Sequence, residues 1–72
     1  MNKSIGVALR EQRELAGLSQ SALSKKTGIP QQTISAWESD TNLPSIDACI
    51  KLADFYSVAL DELIGRELPK NF

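Results

Sequence analysis

The apolar residues of this chain recur three and four positions apart in short runs, separated by glycine and proline. This spacing places apolar side chains on one face of an α-helix, and the sequence lacks the strict alternation of a strand. Gly17, Gly28 and Gly65 can each supply the left-handed residue that commonly ends a helix, and Pro44 closes a polar loop. We therefore predict an all-α fold of about five short helices.

Capping residues and breaks set the predicted boundaries. Helix 1 follows Ser4, helix 2 follows Ser19, helix 3 covers about 30–38, helix 4 follows Ser45 and helix 5 covers about 60–64. Helix 1 has apolar residues at helical spacings, namely Ile5, Leu9, Leu15 and Ala16, and helix 2 carries Ala22 and Leu23. The side chains predicted to face inward from helices 3 and 4 are Ile34, Trp37, Ile46, Cys49, Ile50, Ala53 and Tyr56. We expect residues 1–72 to form one domain, with a core over about 4–65 and a flexible tail over 66–72.

Length and cysteine content exclude several kinds of site. Seventy-two residues suffice for one small domain, so any function has to fit on one surface. Cys49 is the only cysteine and the chain has no histidine, which excludes an internal disulfide and a multi-cysteine metal cluster. No stretch approaches the ~20 apolar residues that span a bilayer. We expect a cytoplasmic protein without membrane association, metal or cofactor.

Charge is unevenly distributed along the chain. The net charge is -1, but residues 1–38 carry five basic and three acidic side chains, whereas residues 39–72 carry three basic and six acidic ones. Many nucleic-acid-binding domains are strongly basic. Any nucleic-acid face is therefore expected in the first half.

The segment from Gln20 to Trp37 carries the spacing of a known motif. Gln20, Ser24 and Gly28 lie four positions apart, and Ile34 and Trp37 follow. This pattern resembles the helix-turn-helix of phage repressors and Cro proteins. A small residue at Ser24 lets two helices cross closely, and Gly28 makes the turn between them. With similar flanking segments at 13–20 and 60–65, the resemblance covers about residues 4–65.

The resemblance implies that helix 3 reads base edges in the major groove through Gln31, Gln32 and Thr33. A glutamine amide can accept from N6 and donate to N7 of adenine, and a threonine methyl group can contact the methyl group of thymine. These residues favour half-sites that contain A·T pairs. The alternative is that the two glutamines are an ordinary solvated helix face.

The resemblance also implies phosphate contacts at the start of helix 2. Ser19 and Gln20 lie there, where free N–H groups and the helix dipole attract anions. Ser19 is equally suited to be an ordinary N-cap, and the two roles are compatible. Further candidates for phosphate contacts are Arg10, Lys25 and Lys26, for which solvated surface side chains are the alternative.

Arg13 and Glu38 correspond to a pair that forms a structural salt bridge in the family. By resemblance, this bridge orients the recognition helix. Trp37 and Cys49 are expected to be core residues without a chemical role, since no histidine exists to activate the thiol.

The chain departs from the family directly after helix 3. A glycine and several basic residues are usual there, but residues 39–43 are Ser-Asp-Thr-Asn-Leu. Asp40 replaces the turn glycine, and aspartate tolerates the left-handed conformation better than most residues. Leu43 replaces a basic side chain, and Pro30 and Ala59 replace hydroxyl caps. Because affinity for DNA increases with the number of neutralised phosphates, we expect weak DNA binding.

We consider three classes of function in the light of these observations. The first is a Cro-like transcriptional regulator in a bacterial or phage-infected cell, which binds operator DNA as a homodimer. The second is an antirepressor or co-repressor that binds a repressor protein of the same genetic switch. Asp40 and Leu43 are then partner contacts, unless Leu43 folds back onto helix 4. Enzymatic activity, the third, is not expected, since the chain lacks histidine and a glycine-rich phosphate loop.

Overall fold

The computed structural model describes residues 3–66, and this range contains five α-helices and no strand. The helices are α1 (Ile5–Leu15), α2 (Gln20–Thr27), α3 (Gln31–Glu38), α4 (Ile46–Tyr56) and α5 (Leu60–Leu63). The predicted all-α fold is confirmed. Two boundaries differ slightly, because Pro30 precedes α3 as its N-cap and α5 ends one residue before Ile64. The predicted flexible tail lies, from residue 67 onward, outside the described residues.

Serine side chains begin three of the helices. The hydroxyl groups of Ser4, Ser19 and Ser45 accept hydrogen bonds of 3.0–3.1 Å from the backbone N–H three residues later. Such caps satisfy one of the free N–H groups at each helix start. Pro30 and Ala59 provide no side-chain cap to α3 and α5, as predicted.

One hydrophobic core joins all five helices. Its buried members are Leu9, Leu23, Ile29, Ile34, Trp37, Cys49, Leu52, Ala53 and Leu63. Trp37 and Cys49 are buried as predicted. Burial raises the pKa of the Cys49 thiol, which keeps it in the unreactive protonated form.

Two of the apolar residues at helical spacings in helix 1, Leu15 and Ala16, do not face the core. Leu15 is 81% exposed, and Ala16 is exposed as well. Six residues turn a helix through about 240° from the buried Leu9, so Leu15 projects away from the core. It is also the last residue of α1, beyond which the chain bends at Gly17.

The prediction that Ile46 and Ile50 face inward is wrong. Both are exposed, whereas Leu52, which the sequence analysis did not place in the core, is buried. Ile50 follows Cys49 by one residue and therefore points about 100° away from it around α4. The apolar stripe of α4 is wider than the part of the helix that neighbouring elements cover.

Within residues 3–66, no helix is long and apolar enough to cross a lipid bilayer. In the same range, no group of three or more acidic or cysteine side chains is arranged to hold a metal ion.

Candidate nucleic-acid interface

The turn between α2 and α3 is held by three hydrogen bonds. Gly28 has a φ of 77° and donates its N–H to the carbonyl of Ser24 at 2.8 Å. The Thr27 hydroxyl donates to the carbonyl of Leu23 at 2.8 Å and accepts from the N–H of Ile29 at 3.2 Å. The sharp turn requires the left-handed conformation that glycine adopts without strain. These bonds fix the direction in which α3 leaves α2.

The first turn of α3 presents polar side chains to solvent. Gln31 and Gln32 are exposed, and Thr33 is half-buried. Ile34 and Trp37 anchor the same helix in the core. The helix therefore has a buried face and an open face that begins with two amide side chains. The predicted base-reading residues lie together on one short segment.

The start of α2 combines a capping serine with an engaged glutamine. Ser19 Oγ accepts from the N–H of Ala22 at 3.0 Å, and its hydroxyl hydrogen remains able to donate. Gln20 Nε2 instead donates to Glu38 Oε1 at 3.2 Å. The first turns of α2 and α3 contain no acidic residue, so nothing within those turns offsets the positive helix ends.

Arg13 and Glu38 form a bidentate ion pair between α1 and α3. Arg13 Nε donates to Glu38 Oε2 at 2.7 Å and Nη2 donates to Oε1 at 2.9 Å, while Nη1 reaches the carbonyl of Leu18 at 2.8 Å. The two side chains are only 12% and 6% exposed. The hydrogen bond to Glu38 raises the pKa of the Arg13 guanidinium, so the pair stays charged. The Arg13–Glu38 ion pair connects the end of α3 to α1.

The remaining predicted phosphate contacts differ in their surroundings. Arg10 Nε lies 3.2 Å from Glu14 Oε2, an exposed pair one helical turn apart. Lys25 and Lys26 lie in the last turn of α2, are exposed, and there complement the negative helix end. An open groove of about 340 Å³ is lined by Arg10, Arg13, Glu14, Gln20, Ser35, Glu38 and Ser39. Both arginines of this groove already pair with a glutamate.

The acidic segment after α3 makes a contact that the sequence analysis missed. Asp40 adopts the left-handed conformation, with a φ of 60°, and its Oδ1 accepts from the N–H of Gly6 at 2.9 Å. Leu43 is 72% exposed, so the alternative in which it folds back onto α4 is wrong. Gly6 lies in the first turn of a predicted helix, where no sharp turn requires a glycine. That position was the one sequence feature that could have indicated a close contact at Gly6.

Tyr56 lines a small cavity together with Glu38, and its hydroxyl is enclosed. The hydroxyl oxygen is buried and has no hydrogen-bond partner among residues 3–66. Burial, together with the negative charge of Glu38, raises the pKa of Tyr56 to about 12. The phenol therefore remains neutral at physiological pH.

The fold and this surface define a small helical domain in which a fixed turn joins two helices and the second one presents polar residues to solvent. Residues 9–63 match the sequence profile of the helix-turn-helix family, and the chain belongs to that family.

Two relatives illustrate the relationship. The chain is 34% identical over 64 residues to the HTH-type transcriptional regulator ImmR of Bacillus subtilis strain 168. The matched region covers 89% of this chain and 50% of ImmR. It is 31% identical over 58 residues to the cryptic phage CTXphi transcriptional repressor RstR of Vibrio cholerae, covering 81% of this chain and 52% of RstR. The chain thus spans about half the length of these two relatives.

A similar solved structure is that of the P22 c2 repressor protein in complex with the synthetic operator 9T. The two structures share a TM-score of 0.79 and 25% sequence identity, over 90% of this chain and 98% of that chain.

Proposed function

We propose that this chain is a DNA-binding transcriptional regulator that places α3 in the major groove of an operator. The observation that carries the proposal is the fixed α2–turn–α3 unit, with Gln31 and Gln32 exposed at the start of α3. The P22 c2 repressor, whose structure contains operator DNA, shares this fold. Repressor names among the relatives support the same function.

Sequence would be read by the first turn of α3. The amides of Gln31 and Gln32 each have one acceptor and two donor hydrogens, which match N6 and N7 of adenine. Thr33 offers a methyl group to thymine. Ser19 and the free N–H groups at the start of α2 would position the protein on phosphates without reading sequence.

Electrostatic attraction would contribute little to this binding. Arg10 and Arg13 each pair with a glutamate, and the segment 39–43 contains no cation. Each phosphate that is neutralised adds about 0.9 to the slope of log affinity against log salt. We therefore propose a small salt slope, with Lys25, Lys26 and Arg10, whose pair with Glu14 is exposed and weak, as the cations that contact phosphate.

The experiment starts with selection of preferred sites from a random-sequence duplex pool. Affinity for the selected site and for a random duplex is then measured for Gln31→Ala and Gln32→Ala, with Gln12→Ala in α1 as the matched control. Each α3 variant should lose about 1–3 kcal/mol of discrimination at particular base pairs, whereas the control should not. Unchanged preferences in both α3 variants, or a wild type that prefers no site, would contradict the proposal.

We further propose a Cro-like homodimer on a pseudo-palindromic site. One α3 spans only a few base pairs, and dimers of this fold place two recognition helices about 34–36 Å apart, on successive turns of DNA. The selected sites should then contain inverted half-sites with that spacing, and sedimentation should give two chains per duplex. Single, unpaired half-sites with one chain bound would contradict the dimer.

A second candidate function is binding to a partner repressor, as an antirepressor or co-repressor. It is favoured by Leu43, which is exposed and followed by the exposed Ile46 and Ile50 on α4. The acidic side chain of Asp40 would add attraction for a basic partner surface. Leu43→Lys should weaken the complex with a repressor protein that copurifies with this protein, measured by calorimetry. Leu15→Lys, at another exposed leucine, on α1, is the control, and equal effects of both would argue against this function.

A further inference from the structure

The first turn of α1 lies directly on the end of α3. A Cβ atom added to Gly6 would lie 2.6 Å from the carbonyl oxygens of both Trp37 and Glu38, and 2.8 Å from Oδ1 of Asp40. No side chain can occupy that position without moving backbone. Glycine therefore allows the two helices to approach until their backbones touch.

Asp40 connects the two helices at this point of contact. Its carboxylate accepts the Gly6 N–H at 2.9 Å, and its own N–H donates to the carbonyl of Trp37 at 3.1 Å. Ser4 caps only the N–H of Val7, and α1 has no acidic residue in its own first turn. Asp40 thus supplies, from 34 residues away, the negative charge that stabilises a helix start.

A second connection lies further along α1. Arg13 follows Gly6 by seven residues, which places it about 10 Å along the helix axis. There it holds the carboxylate of Glu38 through two hydrogen bonds. The turn after α2 and the buried side chains of Ile34 and Trp37 also hold α3. The two connections to α1, near the two ends of that helix, add a restraint on the tilt of α3 that neither connection would give alone.

We propose that Asp40 is a positioning residue, which sets the angle of α3 by holding the N–H of Gly6. Its effect on DNA rests on the function proposed above. The same carboxylate repels phosphate, so the hydrogen bond and the charge of Asp40 act in opposite directions on DNA binding. Substitutions can separate these two effects.

Three variants make the separation. Asp40→Asn removes the charge but keeps an acceptor oxygen and a residue that tolerates the left-handed conformation. Asp40→Gly keeps the conformation but removes both the charge and the acceptor. Asp54→Asn removes an exposed charge on α4 and serves as the control for net charge.

The first measurement needs no DNA. Amide hydrogen exchange reports the Gly6 N–H, and residual dipolar couplings report the angle between α1 and α3. In Asp40→Gly, the Gly6 amide should exchange about tenfold faster and the angle should change, whereas Asp40→Asn should keep both close to wild type. An unchanged angle in Asp40→Gly, or equal changes in both variants, would overturn the proposal.

The second measurement compares binding to the duplex selected by the wild type with binding to a random duplex of equal length. Asp40→Gly should lower the preference for the selected duplex about tenfold. Asp40→Asn and Asp54→Asn should leave that preference intact. If Asp40→Gly and Asp40→Asn strengthen binding to both duplexes equally, Asp40 acts by charge alone and the proposal is wrong.

The two measurements distinguish failure of the proposed DNA-binding function from failure of the proposed role of Asp40. A wild type that prefers no duplex would refute the proposed function, and the couplings would still decide whether Asp40 positions α3. If Asp40→Gly does not fold, Asp40→Ser replaces it in both measurements. This chain accommodates serine in the left-handed conformation at Ser57, and a serine oxygen lies one bond closer to the backbone than the carboxylate oxygens.

Discussion

Removing one partner of the Arg13–Glu38 pair should cost a large part of the stability of this domain. The Glu38 side chain is 6% exposed. Its carboxylate accepts three hydrogen bonds from described residues, two from Arg13 and one from Gln20. In Arg13→Ala, the carboxylate would keep only the neutral amide of Gln20. Breaking such a buried pair costs about 3–5 kcal/mol. A domain of 72 residues has a total stability of only about 4–11 kcal/mol.

The assay is urea unfolding at pH 7, followed by Trp37 fluorescence and circular dichroism. The matched control is Arg10→Ala, whose exposed pair with Glu14 should contribute less than about 0.5 kcal/mol. The double variant Arg13→Met with Glu38→Met replaces the pair by apolar side chains and should lie within about 1–2 kcal/mol of wild type. A loss below about 1 kcal/mol in Arg13→Ala would show that the pair is not effectively buried.

Three further predictions concern the core and the helix contact. Trp37→Ala should cost about 3–5 kcal/mol in urea unfolding followed by circular dichroism alone, since the variant has no tryptophan, and unchanged stability would place Trp37 outside the core. Gly6→Ala should cost at least about 1–3 kcal/mol, because its Cβ would lie 2.6 Å from two carbonyl oxygens, and a neutral effect would contradict the close contact. Burial raises the pKa of Tyr56 from 10.0 in the unfolded chain to about 12 in the folded protein. The contribution of the neutral phenol to the free energy of unfolding is therefore complete below pH 10 and declines as the pH rises towards 12. Urea unfolding between pH 8 and 11.5 should show this decline relative to Tyr56→Phe, and a constant difference between the two proteins would refute it.

Local chemistry predicted the helices well. Ser4, Ser19 and Ser45 each begin a helix because their hydroxyl oxygen accepts from a nearby N–H, an interaction between residues three positions apart. Gly28 ends α2 for an equally local reason, its left-handed backbone. Features of this kind can be predicted from short segments.

The extent of burial was less predictable. Periodicity marks Ile46, Ile50 and Leu15 as apolar helix positions, but it contains no information on which neighbours cover them. Their exposure depends on where the other helices pack, which is a property of the whole fold.

The candidate interface shows the same division. The positions of Gln31 and Gln32 at the start of α3 follow from the motif spacing. The contact between Gly6 and Asp40 joins residues 34 positions apart, and no local pattern predicts it. The sequence indicated the charge of Asp40 and its tolerance of the left-handed conformation, whereas the structure adds a hydrogen bond from its carboxylate to Gly6 within the domain.

The most direct test of the account is a two-dimensional ¹H–¹⁵N NMR titration of the isotope-labelled protein with its selected duplex. If α3 reads DNA, the largest shifts should occur at the side-chain amides of Gln31 and Gln32, with smaller shifts at the backbone N–H groups of Ser19 and Gln20. Resonances of the exposed α4 residue Ile50 should stay unchanged. Shifts confined to α4, or no saturable shift in the first turn of α3, would contradict the assignment of α3 as the recognition helix.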